Sequence, residues 1–202
     1  ADVVGGRSYL ILRGDPPPWF GPDFRGYLSE VDLGPERRDA GDGRRLFGLN
    51  ISFRRSAIEQ AGGFDPGLGR RGARLLCGEE RRLCAAIAAQ GGKLVYEPSA
   101  VVGHVILPER LQWDYFARLC HGAGISRAAL DSPAGFTVRA LRLAETSAKW
   151  LLYAGLLLPA SLAGTNRYPW RALRCRIIRI QALCGRRWCA LVQGADRADV
   201  GQ

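Results

Sequence analysis

The residues best suited to chemistry stand together at Gly78-Glu79-Glu80. Leu83, Cys84 and Ile87 recur after them at helical spacing, and Gly91-Gly92 supplies a stop, which predicts a helix opening on the two glutamates. Neighbouring side chains on a helix point about 100° apart. One carboxylate can therefore face a cleft while the other anchors to the loop before it. A carboxylate within hydrogen-bond reach of a hydroxyl can take its proton as a general base. The simpler reading is that acidic residues suit the positive end of a helix. The loop leading in, Gly67 to Arg74, is rich in Gly and Arg. Its Arg70 and Arg71 suit a phosphate or an acidic sugar bidentately, or else belong to a solvated loop. Leading out are a short strand, Leu94 to Tyr96, a Pro turn, and an apolar run ending at His104.

The elements expected to position these residues come earlier in the chain. Val3-Val4-Gly5-Gly6 reads as the end of a strand entering a turn, and Arg7 to Leu12 as an apolar strand closed by Asp15-Pro16-Pro17-Pro18. Trp19 to Gly34 reads as an irregular loop packed on the domain, and Pro35 to Arg45 as a charged, exposed one. Phe47 to Phe53 is expected to form a short strand, with Gly48 either a bulge or a place where the backbone approaches a ligand. Ser56-Ala57-Ile58-Glu59 has the capping-box pattern of a short helix that Gly62-Gly63 ends. That helix is expected to place Phe64 in the core and carry Asp65 to the cleft mouth.

In this order the segments resemble the acceptor half of a family 2 glycosyltransferase. The family's loop has the form GGFD…LGRRG…GED, followed by a helix, a Gly, a strand of the type ivYxPxA and a histidine. The matching residues are Gly62-Gly63-Phe64-Asp65, Gly78-Glu79-Glu80, Leu83-Cys84, Gly91, Val95-Tyr96-Glu97-Pro98-Ser99-Ala100 and His104. Further matches are Trp19, Gly26-Tyr27-Leu28-Ser29 and Asp32-Leu33-Gly34 to a W…GYLS…DLG segment, and Leu107 to Leu111 with Arg118 and Ser126 to a PERL…R…G.S pattern. The likeness runs from about Val3 to about Arg127, roughly three-fifths of the chain. It departs at Glu80, where the family has Asp.

The resemblance implies an α/β fold of the GT-A, Rossmann-like type, partial here, with a helical C-terminal extension. Residues 1–130 would be the later part of the catalytic domain and 131–202 a basic and apolar membrane-associating extension. Transfer from a nucleotide-sugar donor needs an activated acceptor hydroxyl and a neutralised diphosphate. Glu80 takes the place of the family's Asp as the base, and Glu79 orients the loop or the acceptor; the longer side chain leaves the reverse assignment open. Gly48 and Asn50 fall in the glycine loop beside the donor sugar. His104 corresponds to a late histidine that joins a divalent metal, Mg or Mn, of which Mn tolerates an imidazole; alone it would read as a hydrogen-bonded structural residue. Arg110 is placed either to reach the diphosphate or to pair with Glu109. The acceptor would be a glycan or a lipid-linked molecule of the cell envelope.

Composition bounds these expectations. The chain of 202 residues is 47% hydrophobic, which suits a globular domain or a piece of a larger one. It contains no methionine and no Asp-x-Asp motif, so the nucleotide-binding half with its metal motif is expected upstream. The six cysteines show no CxxC pair and nothing resembles a signal peptide, pointing to a reduced cytoplasmic setting without structural zinc. Gly135 to Ala148 reads as helical. Trp150 to Gly164 is apolar but short of the ~20 residues of a membrane span, so a buried or interfacial helix is expected. From Arg167 to Arg187 there are seven arginines and no acid, a basic amphipathic helix suited to the anionic inner face of a membrane. Two other classes compete: a non-catalytic scaffold of the same fold, and a nucleic-acid-binding module suggested by the net charge of +10. No recognition motif accompanies that charge, so nucleic acid is not the expected partner.

Overall fold

The computed structural model describes residues 1–43, 45–71, 74–130, 136–162 and 170–199. It falls into two units, the first made of residues 1–69 and 78–112 and the second of 70–77 and 113–202. The boundary expected at 130/131 meets residues 131–135, which lie outside the described ones.

The first unit is built on β1 (Val3–Leu12). Contrary to the expected break at Gly5-Gly6, this strand is continuous. The glycines are there for close approach. A Cβ on Gly5 would lie 2.5 Å from a Leu46 methyl, and one on Gly6 would lie 2.2 Å from the Ala100 carbonyl oxygen. The sheet has the order β2 (Arg38–Asp39), β6 (Leu94–Ile106), β1, β3 (Ile51–Phe53). β6 runs parallel to β1, whereas β3 and β2 are antiparallel to their neighbours. β6 therefore extends far beyond the expected Leu94–Tyr96. Pro98 does not end it, because Gly6 pairs with Glu97 and Arg7 with Val101, leaving Pro98-Ser99-Ala100 as a bulge. A bulge is where a strand tolerates a residue that lacks an N–H.

One face of this sheet carries the core. α3 (Glu79–Ala89) begins where the sequence predicts and buries Leu83, Cys84 and Ile87. They pack with Val3, Leu46, Ala57 and Leu94. Beyond the bulge, residues 19–31 cover the strands. The segment expected to be irregular holds α1 (Pro22–Arg25) and a 3-10 turn (Gly26–Leu28), with Trp19 edge-on to Phe24 at 5.2 Å. Ser8 Oγ donates to the Ser29 carbonyl at 2.6 Å, which ties this cover to β1. Two local expectations are corrected. α2 (Arg55–Gln60) starts one residue before Ser56 and has no side-chain cap; Glu59 pairs with Arg55 at 2.8 Å instead of closing a capping box. Phe64 is 48% exposed and edge-on to Phe53, because the left-handed Gly62 and Gly63 turn the chain outward rather than into the core.

The second unit contains a small ribbon of β4 (Arg70–Arg71) and β5 (Arg74–Leu75) and three helices, α4 (Trp113–Leu130), α5 (Phe136–Leu162) and α6 (Trp170–Asp199). Glycines on α4 admit its neighbours: a Cβ on Gly122 would lie 2.2 Å from the Leu75 carbonyl oxygen, and one on Gly124 2.2 Å from that of Arg179. Between α5 and α6, Arg187 donates to the Arg142 carbonyl at 2.9 Å and to the Thr146 hydroxyl. The apolar run expected as a separate helix continues α5 as far as Leu162; residues 163 and 164 lie outside the described ones. It is not buried at Leu151 and Leu152, which are 65% and 61% exposed. The expected basic helix is α6, with Arg174, Arg176 and Arg179 exposed; Arg167 lies outside the described residues. Among the described residues no helix is long and apolar enough to cross a membrane.

Candidate active site

α3 places the two glutamates. Gly78, in the left-handed region at φ 99°, caps the helix, so Glu79 and Glu80 occupy its first turn. Both carboxyls are half-buried. The Glu79 carboxyl lies against its own loop, since a Cβ on Gly69 would sit 3.2 Å from its carboxyl carbon. Glu80 turns the other way and Oε1 accepts the Gly48 N–H at 3.4 Å, a contact between residues 32 positions apart. The two carboxyls thus meet different segments, Glu79 the loop at Gly69 and Glu80 the turn at Gly48. The two do not part fully, because their side chains remain in hydrogen-bond contact.

The electrostatics follow from that placement. Burial raises the Glu80 carboxyl above the usual carboxylate range, and the Glu79 charge and hydrogen bond raise it further. Its own backbone N–H and that of Gly48 pull the other way. Glu79 Oε2 is buried with no hydrogen-bond donor among the described residues. One turn on, burial pushes the Cys84 thiol up to about 12, with Glu80 and Asp42 adding to the effect. The surroundings of Glu80 are thus desolvated and acidic, a setting in which a carboxyl holds a proton more tightly than in water.

His104 and Arg110 form a second cluster in the same unit. His104 Nδ1 donates to the Leu28 carbonyl at 2.8 Å, and Nε2 accepts from Arg110 Nη1 at 3.1 Å. The imidazole's one lone pair is turned to a guanidinium. Among the described residues no three carboxylate, imidazole or thiol groups converge as a cation site. These side chains alone do not fit a divalent metal.

The remaining sequence candidates are placed as follows. Gly48 meets Glu80, as described. The side-chain amide of Asn50 donates to the Arg7 carbonyl at 2.9 Å and to the Ala100 carbonyl at 2.8 Å. Arg70 is exposed on β4 in the second unit, paired in register with Leu75; Arg71 follows it in that strand. Three participants escaped sequence reasoning: Gly69 beneath Glu79, Asp42 beside Cys84, and the Leu28 carbonyl that orients His104. Gly69 stood in the Gly-rich loop and was the one legible in principle. A backbone carbonyl carries no sequence signal.

Over 89 residues, 44% of its length, the chain is 30% identical to a glucosyl-dolichyl phosphate glucuronosyltransferase of Haloferax volcanii. The matched stretch spans 28% of that relative. No protein-family model matches the chain, and no solved structure matches it. Over part of its length, then, the chain is similar to a glycosyltransferase.

Proposed function

We propose that the protein carrying this chain is a glycosyltransferase of family 2 type with a GT-A fold, in which Glu80 is the general base. The observation that carries the reading is the contact of Glu80 Oε1 with the Gly48 N–H, which joins two segments far apart in sequence at one point. The partial likeness to a glycosyltransferase supports it from a separate direction. The donor would be a nucleotide-diphosphate sugar and the acceptor a hydroxyl of a glycan or lipid-linked molecule.

In the proposed reaction the acceptor hydroxyl gives its proton to Glu80. The oxygen then attacks the anomeric carbon opposite the diphosphate, and the carbon–oxygen bond to the diphosphate breaks with its electron pair leaving on phosphate. One displacement inverts the anomeric centre. A carboxyl raised by burial is a stronger base near neutral pH than an exposed one. Glu79 maintains that environment, and Arg110, held by His104, offers positive charge to the leaving diphosphate. A divalent metal, when bound, neutralises such a diphosphate; the described side chains do not form its site, and no step of this chain's residues depends on it.

The acceptor side is proposed to work at an anionic membrane, the inner face of the cytoplasmic one. α6 exposes Arg174, Arg176 and Arg179, and α5 exposes Leu141, Leu151 and Leu152. The deciding experiment is Glu80→Gln in the protein that carries this chain, assayed for transfer. Turnover should fall by a general-base factor of about 10²–10⁴ with donor binding kept, and Glu79→Gln should fall less. The reverse order would move the base to Glu79. Unchanged turnover in both would take the base role away from both glutamates.

A further inference from the structure

The Asn50 side chain makes two hydrogen bonds, both to segments far away in sequence. Its amide nitrogen donates one hydrogen to the Arg7 carbonyl of β1 and the other to the Ala100 carbonyl at the end of the β6 bulge. Its backbone carbonyl accepts the Gly6 N–H at 2.9 Å, and its backbone N–H closes a turn onto the Phe47 carbonyl at 3.1 Å. The turn so closed contains Gly48, whose N–H meets Glu80. The bulge so held is the point after which β6 resumes its pairing with β1 and goes on to His104.

We propose that Asn50 is a positioning residue: its carboxamide locks the 47–50 turn against β1 and β6, and through Gly48 it sets the hydrogen bond on the Glu80 carboxylate. The inference rests on the reading of Glu80 as the base. It differs from a role for Asn50 in holding the donor, because both amide hydrogens are already committed to the chain.

The chemistry of the position demands an amide. Two carbonyl oxygens face the same atom, so that atom must carry two N–H hydrogens. Aspartate would set a carboxylate oxygen against both carbonyls with no proton to give. Serine supplies one donor at most. Space is as restrictive: a Cβ on Gly6 would come within 2.4 Å of the Asn50 amide nitrogen, so the clamp fits only over a glycine. Without the clamp, the bulge carbonyl and the turn lose their common anchor. The Gly48 N–H, long already at 3.4 Å, then drifts from Glu80. The titratable groups that bear on Glu80 are Glu79 and Cys84 of α3, with Asp42 beyond Cys84. Neither substitution below touches them.

The test uses carboxyl carbon NMR on the whole chain, with Glu80→Gln to assign the Glu80 signal, in the parent, Asn50→Ala and Asn50→Ser. The Gly48 N–H holds the Glu80 titration down, so its midpoint should move up in Asn50→Ala and by less in Asn50→Ser, which keeps the test open if the alanine variant does not fold. In the transfer assay, kcat should drop about tenfold or more while the donor KM stays within about twofold, the pattern of a lost transition-state interaction. A rise in donor KM at unchanged kcat would make Asn50 a donor ligand and overturn the proposal. An unmoved Glu80 midpoint in a folded variant would also overturn it. If Glu80→Gln retained full turnover, the base reading would fail, while the NMR midpoints would still decide the positioning.

Discussion

Gly6→Ala puts a number on how tightly the clamp is built. The new methyl would lie 2.2 Å from the Ala100 carbonyl oxygen and 2.4 Å from the Asn50 amide nitrogen. Real Cβ contacts begin near 3 Å, so the bulge and the amide must retreat by most of an ångström. Forcing a methyl into such packing costs about 1–3 kcal/mol. Breaking one of the Asn50 hydrogen bonds adds about 0.5–1.5 kcal/mol. Alanine gains back about 0.4–1 kcal/mol by restricting the unfolded chain. The net loss is about 2 kcal/mol. Gly48→Ala is the control, since its methyl would sit at an ordinary 3.9 Å from the Glu80 carboxyl carbon and should cost no more than about 0.5 kcal/mol. Urea unfolding followed at the β1 and β6 amides measures both. A Gly6→Ala protein as stable as the parent would refute the clamp, because the Ala100 carbonyl and the Asn50 amide would then have room for the methyl.

Two further outcomes follow from the same geometry. Replacing Arg174, Arg176 and Arg179 of α6 by Gln should weaken co-sedimentation with anionic vesicles, by about 1 kcal/mol per arginine, and leave neutral vesicles little affected; equal loss on both, or stronger retention on DNA than on vesicles, would count against the membrane reading. Glu80 has a raised folded-state value, so its contribution to stability is fully present below the unfolded value and is lost as pH rises through the folded one. Glu80→Gln should therefore melt higher than the parent at neutral pH, with the gap closing in acid.

The helix that bears the glutamates was legible because three signals agree there: a glycine before, apolar residues at helical spacing, and a glycine pair after. β6 was not legible beyond Tyr96, since Pro98 carries the sequence mark of a strand end and only pairing with β1 shows it to be a bulge. The same blindness to distant partners broke β1 at Gly5-Gly6, where the reason for glycine is Leu46 on one side and Ala100 on the other. Phe64 misled in the opposite sense. An aromatic after two glycines reads as core, yet a pair of left-handed residues sets its direction before hydrophobicity acts. Residue types singled out Glu79, Glu80, Gly48 and His104 as candidates. Their mutual arrangement depended on turns and carbonyls with no residue signature, as the Leu28 carbonyl on His104 shows.

The simplest rival to an active site is that Glu79 and Glu80 only complement the positive end of α3. That rival makes a stability claim of definite sign. Carboxylates stabilising a helix start contribute about 0.3–1 kcal/mol each when ionised and exposed, so Glu79→Gln and Glu80→Gln should each lower stability at neutral pH and the losses should roughly add. The structure favours the opposite. Glu80 is desolvated enough for burial to dominate its titration, Glu79 adds repulsion, and Glu79 Oε2 has no donor among the described residues. Either substitution then removes the same repulsion. Each single change should raise the neutral-pH melting temperature, and the double change should gain less than their sum. Melts of the two singles and the double, at neutral pH and again in acid where the carboxyls are protonated, separate the cases by sign. Additive losses would return the pair to the helix dipole. Non-additive gains that vanish in acid would mean that the fold holds two carboxyls together against its own stability, the condition under which one of them can serve as a base.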